Sequence, residues 1–198
     1  MHVRIASLVL VMTSLAATGV HAAQYRPYFS IGGGYQNAHV NFGHGSGSVS
    51  VSSGGLALTA TAGVALNQNL AIEVNGWTNQ IKIQGREESN DITFVGVMPG
   101  ARLGVNLSSW LYPYIGVAAG PSFAFNEIKS PLGNTRTTTT SLAYQARAGL
   151  MFKIARSAGL DVGVRYQSQG RIKNHDGEFD ISGDVTSFNY YITASYGF

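Results

Sequence analysis

The most regular feature of the chain is an alternation of apolar and polar positions with a period of two residues, which continues to the last residue. The apolar positions of the final segment are Phe188, Tyr190, Ile192, Ala194, Tyr196 and Phe198. The residues between them are mostly Ser, Asn, Thr and Gly. Successive side chains of a β-strand point to opposite faces, so this spacing predicts a strand with one apolar face.

Similar alternating segments recur along the chain and give eight predicted strands. Most are about ten residues long, the length of a tilted strand that spans a membrane. Their apolar faces lie within residues 29–35, 56–66, 70–74, 95–105, 115–125, 142–152, 160–166 and 188–198. The sequence therefore predicts an all-β protein.

Short and long connections alternate between these segments. The short ones are Asn67 to Asn69, Asn106 to Ser109 and Ala155 to Ser157, whereas the long ones are His39 to Ser48, Gln84 to Asp91, Glu127 to Thr137 and Gly170 to Asp184. Short periplasmic turns opposite long outer loops are typical of bacterial outer-membrane barrels. We therefore expect an eight-stranded antiparallel up-and-down transmembrane β-barrel with both termini in the periplasm.

The N-terminal segment differs from the rest of the chain. One positive charge at Arg4 precedes an apolar run over residues 5–17, and the segment Val20-His21-Ala22-Ala23 ends in two small residues. This order is typical of a cleaved export signal. We expect residues 1–23 to be a signal peptide, cleaved after Ala22 or Ala23, and residues 24–198 to form the barrel domain.

Composition separates a membrane barrel from a soluble one. Charged residues make up 12% of the chain, there are 25 Gly, and there is no Cys, which excludes disulfides and thiolate chemistry. A soluble, lipocalin-like barrel would carry many Lys and Glu on its exterior. The less apolar face here is instead built from small and uncharged polar residues. The net charge of +3 is not clustered into a basic run, so nucleic acid is not an expected partner.

Aromatic residues collect near the ends of the predicted strands. We expect one interfacial girdle on the periplasmic side and another near the loops. The first would comprise Tyr25, Tyr28, Trp110, Tyr112, Phe152 and Phe198, and the second Tyr35, Phe125, Tyr166 and Phe188.

The few charges within the strands fall on the inward face when counted from the apolar positions. They are Glu73, Arg102, Arg147, Asp161 and Arg165, with Lys153 near the periplasmic end. The interior of an eight-stranded barrel is just wide enough for side chains to fill, so these charges must be paired or hydrogen-bonded. We expect a polar plug in which Glu73 pairs with Arg102, with an ion path through the plug as the alternative.

Two stretches resemble a known family. Residues 113–120, PYIGVAAG, and the closing residues 190–198, YYITASYGF, are similar to the small outer-membrane barrels of the OmpA, OmpX and opacity-protein type. The resemblance implies an outer-membrane location among lipid and lipopolysaccharide. It also implies that the barrel assembly machinery reads the terminal strand through Tyr190, Ile192, Ala194, Tyr196 and Phe198.

Signals for chemistry are weak. His39, His44 and His175 lie in or beside the predicted loops, but the sequence around His175 lacks the Ser of a lipid A deacylase pattern. The acids near His175 lack the spacing of a calcium loop. We expect no catalytic, cofactor or metal residue.

The expected function is therefore that of a structural or adhesin-like surface protein. Its outer loops at residues 84–91, 127–137 and 170–184 would contact host molecules, lipopolysaccharide or other cells. The alternatives are a narrow pore for small solutes and, third, an enzyme that modifies lipid A.

Overall fold

The computed structural model describes residues 25–44, 47–84, 89–130, 133–176 and 179–197. The strands in these ranges are β1 (Arg26–His44), β2 (Gly47–Ala65), β3 (Leu70–Gln84), β4 (Ser89–Gly104), β5 (Leu111–Ser130), β6 (Gly133–Lys153), β7 (Ala158–Asp176) and β8 (Phe179–Tyr196). Each strand pairs antiparallel with the next, and β1 pairs with β8. The predicted fold class is confirmed, because the sheet closes into an eight-stranded barrel. Within the described ranges, no helix is long and apolar enough to cross a membrane.

The alternation in the sequence becomes an alternation of exposed and buried side chains. In β8, Tyr190, Ile192 and Tyr196 are exposed on the outside of the barrel, whereas Tyr191 and Thr193 are buried inside it. The residues of the proposed assembly signal thus face outward as far as Tyr196, and Phe198 lies outside the described residues.

Three short turns, at residues 66–69, 105–110 and 154–157, close one end of the barrel, which we call the turn end. In the first turn the backbone N–H of Leu66 donates to the carbonyl oxygen of Leu70 at 2.9 Å. The side-chain oxygen of Asn67 accepts from the N–H groups of Asn69 and Leu70, at 2.8 Å each. Asn is common in turns because it can satisfy neighbouring backbone groups in this way.

The opposite end, which we call the hairpin end, differs from the prediction. Segments expected to be long loops are mostly strand: β1 continues to His44, β5 to Ser130 and β7 to Asp176. Their residues pair in register across each hairpin, as in His39 with Ser52. The Gly, Ser and Asn residues of these segments are weak strand formers, but cross-strand pairing satisfies their backbone N–H and C=O groups.

One irregularity interrupts this pairing. The register between β7 and β8 shifts between Ser168 and Gly170, and Gly170 has a φ of +90°. A left-handed backbone conformation at an extra residue is typical of a β-bulge and favours glycine. The bulge lies just beyond Tyr166, where β7 continues toward the hairpin end.

Candidate functional site

A layer of charged side chains crosses the interior near the turn end. It contains the buried residues Glu73, Arg102, Arg147, Asp161 and Arg165, and half-buried Lys153 lies at its edge. These are the residues that the strand count placed on the inward face. The layer is thus contributed by β3, β4, β6 and β7, so its charges meet across the lumen as well as along the wall.

Glu73 has a different partner from the one predicted. It forms an ion pair with Arg147 across the lumen, and the hydroxyl of Tyr28 donates to its Oε2 at 2.5 Å. The expected pairing with Arg102 is wrong, because Arg102 lies opposite Ala71 in the register rather than opposite Glu73. Arg147 has room to extend over Gly116, where an added Cβ would come within 3.0 Å of its Nε.

Arg102 is held by aromatic rings. Its guanidinium carbon lies 4.5 Å from the ring centroid of Tyr28, 5.3 Å from that of Tyr114 and 5.7 Å from that of Tyr112. Such contacts stabilise a cation through the ring quadrupole. No described carboxylate forms an ion pair with Arg102, and its buried Nε has no hydrogen-bond partner.

Asp161 is part of a second network of polar side chains. The hydroxyl of Tyr114 donates to its Oδ2 at 2.6 Å, and the hydroxyls of Tyr114 and Tyr191 are 2.6 Å apart. The guanidinium of Arg165 lies 5.1 Å from the ring centroid of Tyr191 and donates to Thr59 at 3.2 Å. Tyrosines thus link the carboxylate to a cation that does not contact it directly.

The interior rings lie over glycines of neighbouring strands. An added Cβ on Gly63 would lie 2.6 Å from Cζ of Tyr28, and one on Gly163 would lie 2.5 Å from the hydroxyl of Tyr191. Gly149 faces Tyr114 in the same way. Glycine in a strand often marks such a close approach, so these positions make room for the rings in the lumen.

Toward the hairpin end the interior contains a cluster of apolar side chains beside buried polar ones. The buried cluster there comprises Ala38, Val40, Trp77, Ile81, Ile92, Phe94, Met98, Ala118, Ala124, Ala143 and Val185. The cluster does not displace the expected polar plug, because buried polar residues lie at the same level: Asn79 is opposite Phe94 and Asn126 is opposite Ile92 in the register. The sequence analysis did not identify this core, although Ile81, Ile92 and Phe94 alternate with polar residues.

The outward face carries an apolar band that ends in aromatic residues. On the loop side, Tyr35, Phe125, Tyr166 and Phe188 are exposed as predicted. On the turn side, Tyr25 and Trp110 are exposed, and Trp110 stacks on Phe152 with ring centroids 6.1 Å apart. The turn-end girdle does not include Tyr28 and Tyr112, because both lie on the inward phase of their strands and are buried.

Beyond the apolar band, the outward face becomes polar. The exposed residues there, which we call the polar collar, are Asn37, His39, Asn41, Ser52, Gln80, Thr138, Thr140 and Asp184. Inward neighbours of the same strands, including Ala38 and Val40, have no exposed surface (0%). At the hairpin end the barrel thus has a polar exterior, and inside it apolar side chains are buried beside polar ones.

The polar collar contains one Ser–His contact. Oγ of Ser52 lies 2.8 Å from Nδ1 of His39 on the neighbouring strand. No described carboxylate binds His39, so the pair matches an ordinary cross-strand contact. The described residues also contain no group of three His, Cys, Asp or Glu side chains able to hold a metal, and the side chains of His44 and His175 lie outside the described part.

A closed antiparallel barrel with an apolar outward band, aromatic borders and a filled interior defines a membrane-spanning β-barrel. The chain belongs to the family of the outer membrane protein beta-barrel domain, whose model matches residues 7–198. Members of this family lie in the bacterial outer membrane. No curated protein matches the chain significantly in sequence.

Solved structures of similar fold include three small barrels. Neisserial surface protein A is 18% identical, with a TM-score of 0.55, and the match covers 87% of this chain and 97% of that one. The attachment invasion locus protein Ail of Yersinia pestis, solved with a heparin analogue, is 15% identical, with a TM-score of 0.52 and coverage of 88% and 99%. OprG of Pseudomonas aeruginosa is 15% identical, with a TM-score of 0.59 and coverage of 87% and 97%. At these identities the likeness concerns the fold.

Proposed function

We propose that this protein is a surface interaction protein that presents its hairpin end to molecules outside the cell. The observation that carries the proposal is the change of pattern along the strands: past the apolar band, the outward face is polar, and a cluster of apolar side chains is buried on the inward face. Strand extensions with their own buried side chains form a stiff platform. Such a platform suits contact with an external partner.

Strand length supports the same proposal. The strands contain 15 to 21 residues, whereas crossing a membrane takes about 9 to 11. The excess lies mainly toward the hairpin end, because the apolar band of β1 starts at Phe29, near the turn end, and ends at Tyr35. The polar collar and the tips of the hairpins therefore project from the lipid.

Two similar structures belong to proteins whose names describe surface or attachment roles. One is Neisserial surface protein A, and the other is the attachment invasion locus protein of Yersinia pestis. The fold is thus compatible with attachment. We place the contact with host molecules, lipopolysaccharide or other cells on the segments at residues 84–91, 127–137 and 170–184.

A pore is the second function to consider, and packing argues against it. The apolar cluster around Ile81, Phe94 and Met98 fills the hairpin half of the lumen, and the ion pair of Glu73 and Arg147 crosses the other half. Buried polar side chains such as Gln36 and Asn79 pack beside this cluster, and together these side chains occupy the lumen through which a solute would have to pass. An enzyme is also not favoured, because the exposed pair of Ser52 and His39 has no described carboxylate beside it.

Shortening the hairpins tests the proposal. Residues 128–135 are replaced by Asn-Gly, which closes a two-residue hairpin between the paired residues Glu127 and Arg136, and whole bacteria that carry the variant are tested for attachment to cultured cells. We expect attachment to fall at least severalfold while the outer-membrane amount is unchanged. The matched control replaces residues 155–157 at the turn end by Asn-Gly, and its attachment should equal that of the wild type.

Two outcomes would contradict the proposed surface function. If this variant and those shortened at residues 85–90 and 172–182 all attach like the wild type, the hairpin end is not the contact surface. Steady conductance of the wild type in planar bilayers would instead support the pore.

A further inference from the structure

The turn end contains an open cavity that the proposed surface function does not use. Its volume is about 780 Å³. Three cationic residues line it: Arg26 at the start of β1, Arg102 near the end of β4 and Lys153 at the end of β6. No acidic residue is among the described residues that line it.

The cations lie at different depths. Arg102 is buried, with 6% of its surface exposed, whereas Lys153 is half-buried at the mouth and Arg26 is exposed. The Nζ of Lys153 and the guanidinium carbon of Arg102 lie 5.5 Å and 5.7 Å from the ring centroid of the same residue, Tyr112. Arg102, deep in the cavity, and Lys153, at its mouth, thus lie near the same ring.

Arg102 is the group that requires explanation. It has no carboxylate partner among the described residues, and its buried Nε donates to no acceptor. A buried donor without a partner is unfavourable. Three aromatic rings contact its guanidinium, and Arg102 lines the cavity, so the guanidinium can donate to an oxyanion there.

The chemistry of the lining selects the kind of anion. Guanidinium groups bind phosphate and carboxylate oxygens through paired hydrogen bonds, and a lysine adds a point charge. A phosphate group, with up to two negative charges and several acceptor oxygens, satisfies three cations better than one carboxylate does. Leu66, Leu70 and Met151 line the same cavity, so an apolar portion attached to the phosphate also has a surface to contact.

We propose that this turn-end cavity is a binding site for a phosphate group, in which Arg102 holds the anion from below and Lys153 and Arg26 hold it at the mouth. A free phosphate or phosphate ester and the headgroup of an anionic phospholipid in the adjacent leaflet share this chemistry. The site is independent of the hairpin end, so its test does not depend on the surface function.

The first part of the test uses soluble anions. The folded chain in maltoside micelles, which contain no phosphate, is titrated with inorganic phosphate and with glycerol phosphate, and binding is followed by calorimetry. We expect saturable binding that weakens about tenfold in both Arg102→Gln and Lys153→Gln. The matched control is Arg156→Gln, an exposed cation in the adjacent turn that does not line the cavity, and it should bind like the wild type.

The second part tests the lipid source. The chain is folded into vesicles of a phosphate-free glycolipid, with or without phosphatidylglycerol, and its urea unfolding midpoint is measured. A midpoint raised by phosphatidylglycerol in the wild type but not in Lys153→Gln supports the headgroup as ligand. Binding of the soluble anions alone supports a free phosphate.

The proposal is overturned if neither soluble anion binds saturably and phosphatidylglycerol leaves the midpoint unchanged. It is also overturned if Arg156→Gln loses as much binding as Lys153→Gln, because general surface charge would then explain the effect. Lys153→Gln keeps the test decisive if Arg102→Gln fails to fold, since Lys153 lies at the mouth.

Discussion

At the residue scale, the charged layer depends on which partner each buried charge has. Glu73 and Arg147 neutralise each other, whereas Arg102 relies on tyrosine rings. Breaking a buried pair leaves one charge uncompensated, which is more unfavourable than losing both. Arg102 and Arg147 are therefore not equivalent, although both are buried on the inward face.

We expect Glu73→Gln to destabilise the barrel by about 3 to 5 kcal/mol, less where water enters, because Arg147 then lacks its anion. The double variant Glu73→Gln/Arg147→Gln should recover part of this loss. Urea unfolding in lipid vesicles gives the free energies for a double-mutant cycle, and the coupling should exceed about 1 kcal/mol. The control is the double-mutant cycle of Glu73→Gln with Arg102→Gln, whose coupling energy should be less than about 0.5 kcal/mol. A larger coupling of Glu73 to Arg102 than to Arg147 would contradict the assigned pair.

At the element scale, each buried tyrosine ring lies over a position of a neighbouring strand that has no side chain. Gly63 provides this space for Tyr28, whereas Gly76 is open, since an added Cβ there would lie 3.8 Å from its nearest neighbour. Both glycines lie in paired strands, so exchange to alanine changes local strand propensity similarly at the two sites. The difference in stability between the two alanine variants therefore measures the contact with the Tyr28 ring.

Gly63→Ala should lower stability by about 1 to 3 kcal/mol through overpacking, and Gly76→Ala should change it little. The urea midpoint of each variant in vesicles checks this. Equal midpoints for the two variants would mean that the rings move aside without cost, and the interior would then be less tightly packed than described.

Much of this architecture follows from the sequence because a period of two residues reports the two faces of a strand directly. The same period puts Tyr28 and Tyr112 on the inward phase, but they were assigned to the periplasmic girdle because they lie near strand ends. The partner of Glu73 was not predictable, because Arg147 meets it across the lumen rather than along neighbouring strands. Contacts across the lumen depend on how the sheet closes into a barrel and on the space that glycines leave for side chains.

The hairpin end was harder to predict for another reason. Gly, Ser and Asn dominate segments such as residues 39–48, and their local preference is for turns. Pairing between consecutive strands overrides that preference, and local propensity carries no information about it. The apolar core of these extensions was hidden because Val40, Ile81 and Val185 come from three different strands.

At the scale of the whole molecule, the barrel has three zones. The turn end has a cationic cavity beneath a charged layer, the middle faces lipid with an apolar band, and the hairpin end combines a polar collar with a buried cluster of apolar side chains. Each zone has its own interior chemistry. The proposed surface role follows from the polar collar and from the length of the strands.

The most direct test is cysteine labelling along β1, since the chain has no native Cys. Single variants Asn37→Cys, Ala38→Cys, His39→Cys and Val40→Cys are treated on whole cells with a membrane-impermeant maleimide, with Leu58→Cys in the apolar band as control. The account predicts labelling at positions 37 and 39 and none at 38, 40 or 58. Labelling of positions 38 and 40 as fast as 39 would show a water-filled lumen, and absence of labelling at 37 and 39 would show that the hairpin end does not project from the cell.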